Sequence, residues 1–242
     1  MRENTSLPEA AAVGARACAA AMLQAMMKLH NYFRSSASFR VRIALNIKGL
    51  AYDYVPVHIA RGEHHQPPFS AIAPEQLVPL LEEDESSGGE RISQSMAIIE
   101  YLDEINPEPP LLPHDPVGRA RVRALSQIIA CEIHPINNLR VLKYLVKELK
   151  LDEAAKNSWY RHWVREGLEA FERQLAEQPA GIYCYGNTLT MADCCLVPQI
   201  FNAQRFDCDL SGLPRTMAAY EAAMQTDAVQ RAQPARCPDA ES

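Results

Sequence analysis

A pair of serines at the start of a predicted helix is the feature of this sequence most able to do chemistry. Ser35 and Ser36 follow Met27 to Phe33, an apolar and aromatic stretch typical of a short strand, and a helical repeat then runs to Gly49. A helix start leaves backbone N–H groups unpaired and carries partial positive charge, which favours an anion or a thiolate. Taken alone, either serine is explained more simply as the helix N-cap.

A second helix start offers a similar anion site. Gln94 and Ser95 open a helix with an apolar stripe that ends at Asn106-Pro107. Its first N–H groups can hold a carboxylate, or Ser95 is an ordinary helix cap.

Three arginines are candidates for binding a carboxylate, because a planar guanidinium is the favoured partner of that group. They are Arg34, Arg140 and Arg205. Each is also explained by a surface ion pair. His134 and Asn138 lie one turn apart around Pro135 and are expected to face the same cleft, although a core histidine is the simpler interpretation of His134.

Histidines elsewhere do not indicate a metal site. His58, His64 and His65 match no zinc spacing and have no cysteine partner nearby in the sequence, so we predict no metal and exposed loop positions. The seven cysteines are an odd number without a C-x-x-C pair. This usage favours reduced thiols and a cytoplasmic location.

Composition narrows the function classes further. The 242 residues are 48% hydrophobic with a net charge of −6, enough for one substantial core or two smaller ones. Without a basic block, nucleic acid is not an expected partner, and no apolar run is long enough to span a bilayer. Residues 1–26 are Ala-rich, but early Glu3, Glu9 and Arg16 argue against a secretory signal, so we predict a disordered extension or an upstream start before Met27.

The elements that position these residues follow an α+β order. The first strand and the helix that ends at Gly49 are followed by a second strand, Tyr52 to Val57. After it come a loop with a short helical piece, a hairpin from Leu77 to Ile92, and the helix after Gln94. This βαβ-ββα order is the thioredoxin-like arrangement, with a mixed four-strand sheet. Pro79 stands where an edge strand could begin.

The second half is predicted to be all-α. We expect a long helix kinked at Pro135, a helix from Trp159 to Leu175, and a further helix opened by a Thr190-x-x-Asp193 capping box. The predicted domains are a thioredoxin-like domain at 27–106, a Pro-rich linker at 107–116, an all-α domain at 117–231 and a flexible tail at 232–242.

The run from Arg34 to Leu45, Arg-Ser-Ser-x-Ser-x-Arg-Val-Arg-Ile-Ala-Leu, resembles the zeta-class glutathione transferases, which include maleylacetoacetate and maleylpyruvate isomerases. The resemblance extends from about Met27 to about Leu213. It implies glutathione as cofactor, a maleyl dicarbonyl acid as substrate, and a homodimer in which the thioredoxin-like domain of one subunit meets the helices of the other. The sequence leaves maleylacetoacetate and maleylpyruvate unseparated.

The resemblance also implies roles for the candidate residues. Ser36, or alternatively Ser35, would stabilise the thiolate. The residues implied to contact glutathione are Ser35, Ser36, His64, Val78, Pro79, Gln94 and Ser95, with Pro79 cis and the Val78 backbone paired to the tripeptide. The residues implied to lie beside the substrate are Arg34, His134, Asn138, Arg140 and Arg205, with Arg34 and Arg205 stabilising the enolate.

Ala37 departs from the family pattern, which has cysteine between the serines corresponding to Ser36 and Ser38. The implied reaction adds the glutathione thiolate to a cis double bond, allows rotation and then eliminates the thiolate, so glutathione itself can supply the sulfur. Two alternatives remain open. One is a broader transferase or α-haloacid dehalogenase, and the other is a binding module without turnover.

Overall fold

The computed structural model describes residues 27–84, 88–179 and 181–241. The predicted N-terminal extension and part of the hairpin turn lie outside these ranges. The first half contains, in chain order, β1 (Met27–Asn31), α1 (Ser36–Lys48), β2 (Tyr52–Pro56), a 3₁₀ turn (Glu63–His65), α2 (Phe69–Ile72), β3 (Leu80–Glu82), β4 (Arg91–Ser93) and α3 (Ser95–Ile105).

The four strands form one mixed sheet in the order β2-β1-β3-β4. β1 runs parallel to β2 and antiparallel to β3, and β3 pairs with β4 as an antiparallel hairpin. Leu29 of β1 and Val41 of α1 are completely buried, which places the core between the sheet and its helices. The thioredoxin-like βαβ-ββα prediction is confirmed.

All secondary-structure elements in the described part of the second half are helical, and turns and loops connect them. They are α4 (Pro116–Gln127), a π-helical segment (Ile128–Ile133), α5 (His134–Asn137), α6 (Leu139–Lys147), α7 (Glu153–Ala176), α8 (Met191–Arg205), α9 (Pro214–Met224), α10 (Asp227–Ala232) and a 3₁₀ turn (Pro234–Arg236). α8 begins with the predicted capping box, in which Thr190 and the buried Asp193 exchange hydrogen bonds. That box fixes the start of the helix whose later turns reach the site.

The prediction of a single long helix kinked at Pro135 was wrong. The π-helical segment widens the turns before Pro135, and Asn138 then adopts an extended conformation with ψ of 165°. The side chain of Asn138 accepts a hydrogen bond from the Val141 backbone N–H at 3.2 Å, so a new helix starts there. The break lies at Asn138 because its side chain caps α6, while Pro135 sits in the first turn of α5, where a missing N–H costs little.

A buried lysine secures the proline-rich linker. Lys48, at the end of α1, forms an ion pair of 2.6 Å with Asp103 of α3 and donates to the Pro109 carbonyl at 2.6 Å. Asp103 also accepts the backbone N–H of Leu111 at 2.7 Å. These bonds join the end of the first domain to the start of the second.

The predicted flexible tail is also wrong, because residues 233–241 pack against the first domain. Arg42 is buried and donates to the carbonyls of Ala232 and Phe33, at 3.1 and 3.0 Å. Asp239 accepts from the Tyr54 hydroxyl at 2.5 Å and from the Phe33 N–H at 3.2 Å. The end of the chain therefore supports the turn that leads to the serine pair. Over the described ranges, no helix is long and apolar enough to cross a membrane.

Candidate active site

A cavity of about 560 Å³ lies between the sheet domain and the helical domain. The serine turn, the segment before β3, the start of α3 and the helices from the π-helical segment onwards contribute to its lining. Eleven predicted site residues line it: Arg34, Ser35, Ser36, His64, Val78, Pro79, Gln94, Ser95, His134, Asn138 and Arg140.

The two serines at the start of α1 differ in their hydrogen bonds. Ser35 is the N-cap, and its side chain accepts from the Ser38 N–H at 3.2 Å. Ser36 is buried, lines the cavity and accepts a hydrogen bond from the amide of Asn202 on α8. The N-cap interpretation therefore describes Ser35, while the hydroxyl of Ser36 faces the cavity.

The segment before β3 presents backbone to the cavity. The Val78-Pro79 peptide bond is cis, and the pairing of β3 with β1 begins only at Leu80. Val78 therefore lies outside the sheet ladder. Its backbone is placed to pair with an extended ligand, as an added strand would.

The start of α3 differs from the predicted cap. Gln94 is the N-cap residue, with φ of 69° and no capping side-chain bond, and Ser95 is already helical. Ser95 instead accepts a hydrogen bond from Arg40 at 3.2 Å. The prediction that Ser95 caps this helix was wrong, because its hydroxyl is turned toward Arg40.

Arg40 is a buried cation that lines the cavity. Its side chain has no carboxylate partner among the described residues, and its Nε has no hydrogen-bond partner there. Burial lowers the pKa of this guanidinium. A buried positive charge without a counterion favours binding of an anion in the adjoining space.

His64 also carries an unused polar atom. Its ring is buried, lies 3.8 Å from that of His65 between centroids, and has no partner for Nδ1 among the described residues. Burial, followed by the neighbouring His65, lowers the pKa of His64. The prediction of an exposed loop position was therefore wrong for His64. Within the described ranges, no group of three or more His, Cys, Asp or Glu side chains could hold a metal ion.

His134 faces the cavity as a neutral imidazole. Burial lowers its pKa to about 3, and the positive charges of Arg40 and Arg140 act in the same direction. Asn138 lines the same wall while its side chain caps α6. His134 and Asn138 therefore line the same cleft.

The lining is rich in positive charge. Among its described residues are four cations, Arg34, Arg40, Arg140 and Lys143, and one carboxylate, Glu75. This excess suits a ligand with more than one carboxylate.

Arg205 is not part of the lining. It is exposed at the end of α8, where its Nη1 donates to the side-chain oxygen of Asn202 at 2.9 Å. Its guanidinium lies 5.9 Å from the ring centroids of Phe201 and Phe206. These contacts turn Arg205 back onto its own helix, so it touches the site through Asn202.

Sequence reasoning missed the polar lining residues Arg40, Gln199 and Asn202. Arg40 lies one turn after Ser36, and Gln199 lies one turn before Asn202 on α8. These spacings place Arg40 on the same helix face as Ser36, and Gln199 on the same face as Asn202. The shared face with Ser36 was the signal in the sequence that could have predicted Arg40 in the lining. Gln199 is buried, and its Nε2 has no hydrogen-bond partner among the described residues.

Comparisons with known proteins agree with this architecture. Residues 25–104 match the glutathione S-transferase N-terminal domain, and residues 154–223 match the glutathione S-transferase C-terminal domain. The maleylpyruvate isomerase of Ralstonia sp is 49% identical over 214 residues, covering 88% of this chain and 99% of that protein. The maleylacetoacetate isomerase of Rhizobium meliloti is 47% identical, covering 86% of this chain and 96% of that protein.

Solved structures show the same likeness. A holo structure of maleyl pyruvate isomerase, described as a bacterial zeta-class glutathione S-transferase, superposes with a TM-score of 0.85 at 48% identity, covering 88% of this chain and all of that one. Maleylacetoacetate isomerase from Anaeromyxobacter dehalogenans, solved with bound glutathione, gives 0.80 at 40% identity, covering 89% and 98%. The chain therefore belongs to the glutathione S-transferase family, in the zeta class with the maleylacetoacetate and maleylpyruvate isomerases.

Proposed function

We propose that this chain is a glutathione-dependent cis-trans isomerase of a maleyl dicarbonyl acid, either maleylacetoacetate or maleylpyruvate. The observation that carries the proposal is a buried serine hydroxyl, Ser36, at a helix start inside a cavity with four cationic side chains. Relatives that are 43–49% identical are named as isomerases of these two acids.

The described residues fit glutathione. Val78, ahead of the cis proline, offers unpaired backbone for the cysteinyl part, and Gln94 and Ser95 offer a helix start for the γ-glutamyl carboxylate. The unpartnered Nδ1 of His64 is available to the glycyl end. Related proteins have been solved with glutathione in the active site or together with malonate.

Bound glutathione would supply the thiolate that adds to the cis double bond and is eliminated after rotation. The protein's part is to stabilise anions and to orient them. Ser36 donates its hydroxyl proton toward the sulfur, which favours the thiolate over a thiol of ordinary pKa. Ser35 holds the turn as N-cap.

Substrate binding follows from the positive lining. Arg34 is about half exposed at the rim, and Arg140 lies on α6 across the cavity, so each can take one carboxylate of a dianion. His134 stays neutral and can donate or accept a hydrogen bond without competing for that charge. The apolar side chains of Leu77, Met96 and Leu142 line the same space and limit access of water.

We also infer a homodimer and a cytoplasmic location. The family supports the first, with the sheet domain of one subunit facing the helices of another. The second is supported by six described cysteines that are all free thiols, as expected in a reducing compartment. Light scattering during gel filtration tests the dimer.

The test of function uses purified protein with maleylpyruvate and with maleylacetoacetate, each with and without glutathione. We expect glutathione-dependent formation of the trans product with the free thiol concentration unchanged, and the faster acid identifies the substrate. Consumption of thiol would indicate a transferase instead. Glutathione binding without conversion of either acid would overturn the proposal.

A further inference from the structure

Asn202 forms hydrogen bonds with both Ser36 and Arg205 at the edge of the site. Its Nδ2 donates to the hydroxyl oxygen of Ser36, and its Oδ1 accepts from Nη1 of Arg205 at 2.9 Å. Asn202 lines the cavity from α8, whereas Ser36 belongs to α1. A single amide therefore spans the two domains at the serine turn.

Hydrogen-bond chemistry fixes the orientation of this amide. A guanidinium can only donate, so the atom of Asn202 that faces Arg205 must be the oxygen. The nitrogen is then left facing Ser36, and because an amide NH₂ can only donate, the Ser36 oxygen must accept. The orientation follows from the identities of Arg205 and Asn202.

The consequence concerns the proton of Ser36. Its oxygen is occupied by the Asn202 N–H, and no acceptor for the hydroxyl proton is found among the described residues. Ser36 is 7% exposed and lines the cavity. The proton is therefore left for a ligand atom in the cavity.

We propose that Asn202 is a positioning residue that directs the Ser36 hydroxyl proton toward the glutathione sulfur, with Arg205 fixing the amide of Asn202. The inference rests on the proposed function and adds a role to it. The relay moves no proton between residues, since each group donates one hydrogen bond to the next. A hydroxyl that donates to an anion makes a stronger bond than one between neutral groups, which lowers the pKa of the bound thiol.

Replacing the amide by a carboxylate reverses the relay. In Asn202→Asp the carboxylate still accepts from Arg205, but it can only accept from Ser36 and so takes the hydroxyl proton away from the cavity. Gln204→Glu is the matched control, because it makes the same change at an exposed position two residues along the helix. Its side chain contacts Tyr220 at 3.4 Å and does not line the cavity.

The measurement is the pKa of the glutathione thiol bound to the intact protein, from ultraviolet absorbance of the thiolate across a pH series. We expect Asn202→Asp to raise this pKa by about one to two units and Asn202→Ala to raise it less. The glutathione KM should change less than threefold while kcat at neutral pH falls about tenfold or more. Gln204→Glu should match the wild type.

A double-mutant cycle distinguishes positioning from structural damage. In a Ser36→Ala background, Asn202→Asp should raise the thiol pKa by clearly less than it does in the wild type, because only the charge of the new carboxylate then acts on the sulfur. An unshifted thiol pKa in Asn202→Asp, or a full additional shift without Ser36, would overturn the inference. If Asn202→Asp does not fold, Arg205→Met tests the same relay by removing the group that orients the amide, and an unchanged thiol pKa there counts against it.

The two proposals can fail separately. A wild type that binds glutathione and isomerises its substrate, with a thiol pKa indifferent to Asn202, refutes this inference alone. A wild type that binds glutathione, shows the Asn202 effect on the thiol and converts neither maleyl acid refutes the isomerase and leaves the relay standing.

Discussion

Arg40 of α1 donates a hydrogen bond to the hydroxyl of Ser95, the first helical residue of α3, at 3.2 Å. The bond joins a buried charge to one of the two helix starts that face the cavity. Because Arg40 lacks a carboxylate partner among the described residues, its charge is available to an anion placed near Ser95. We therefore expect Arg40 to favour glutathione binding through its charge.

Replacement of Arg40 by methionine tests this relationship. We expect Arg40→Met to raise the Kd for glutathione roughly tenfold, or about 1.4 kcal/mol, because it removes the buried positive charge that favours an anion beside Ser95. Thermal stability should be nearly unchanged, since an apolar side chain of similar length can replace a buried charge without cost. Calorimetric titration and thermal melting measure the two effects.

Ser95→Ala provides the matched comparison for that variant. It should also raise the Kd for glutathione. The double variant should lose more binding free energy than either single variant, but less than the sum of the two single losses. A drop in melting temperature with an unchanged Kd would show that Arg40 serves folding alone.

The neutral state of His134 predicts a pH dependence of stability. Its folded pKa of about 3 lies below its ordinary value of 6.5, through burial and then through Arg40 and Arg140. Between pH 3 and 6.5 the unfolded chain binds a proton at His134 that the folded chain does not. The contribution of His134 to the free energy of unfolding is therefore complete above pH 6.5 and is lost as the pH falls toward 3. For one proton, the slope of the free energy of unfolding against pH approaches about 1.4 kcal/mol per pH unit.

Urea unfolding at neutral and mildly acidic pH measures that contribution. We expect His134→Gln to lose less free energy of unfolding on acidification than the wild type. His162→Gln, at an exposed position on α7, should keep the wild-type slope. Identical slopes for wild type and His134→Gln would mean that His134 is protonated as easily in the folded chain as in the unfolded one.

Local signals predicted the serine turn correctly, while contacts between domains could not be read from the sequence. Ser35 caps α1 and Gly49 ends it with φ of 65°, both within reach of short-range sequence patterns. Arg40 and Lys48 are buried because their partners come from α3 and the linker, more than 50 residues away. A charged residue in a helical repeat ordinarily indicates the solvent face, so the pattern gave no sign of these bonds.

The position of the cysteines predicts how the protein responds to thiol reagents. Ala37 removes a thiol from the helix start, and among the described cysteines Cys131 is the one that is exposed, in the cavity lining. We expect iodoacetamide to modify Cys131 before the other described cysteines, and glutathione to slow that reaction. Peptide mapping identifies the modified residue and separates it from Cys18, which lies outside the described residues.

Two variants complete the alkylation test. Cys131→Ser should remove the glutathione-protected modification. Ala37→Cys should add a second protected thiol that reacts faster, because a helix start lowers the pKa of a cysteine. Fast modification of the buried Cys194 or Cys195 in the wild type would contradict the burial seen here.

Asp239, near the end of the described residues, holds the turn before the serine pair. Asp239 accepts from the Phe33 N–H and from the Tyr54 hydroxyl, so Asp239→Ala leaves both donors without this partner. We expect a loss of roughly 2 kcal/mol in unfolding free energy and a lower kcat, since Phe33 and Arg34 directly precede Ser35 and Ser36. Asp227→Ala, which breaks an exposed ion pair with Arg231 on α10, should change neither. Tyr54→Phe should lose less stability than Asp239→Ala, because it keeps the hydrogen bond from the Phe33 N–H to Asp239. If Asp239→Ala were as stable as the wild type, residues 233–241 would not support the turn.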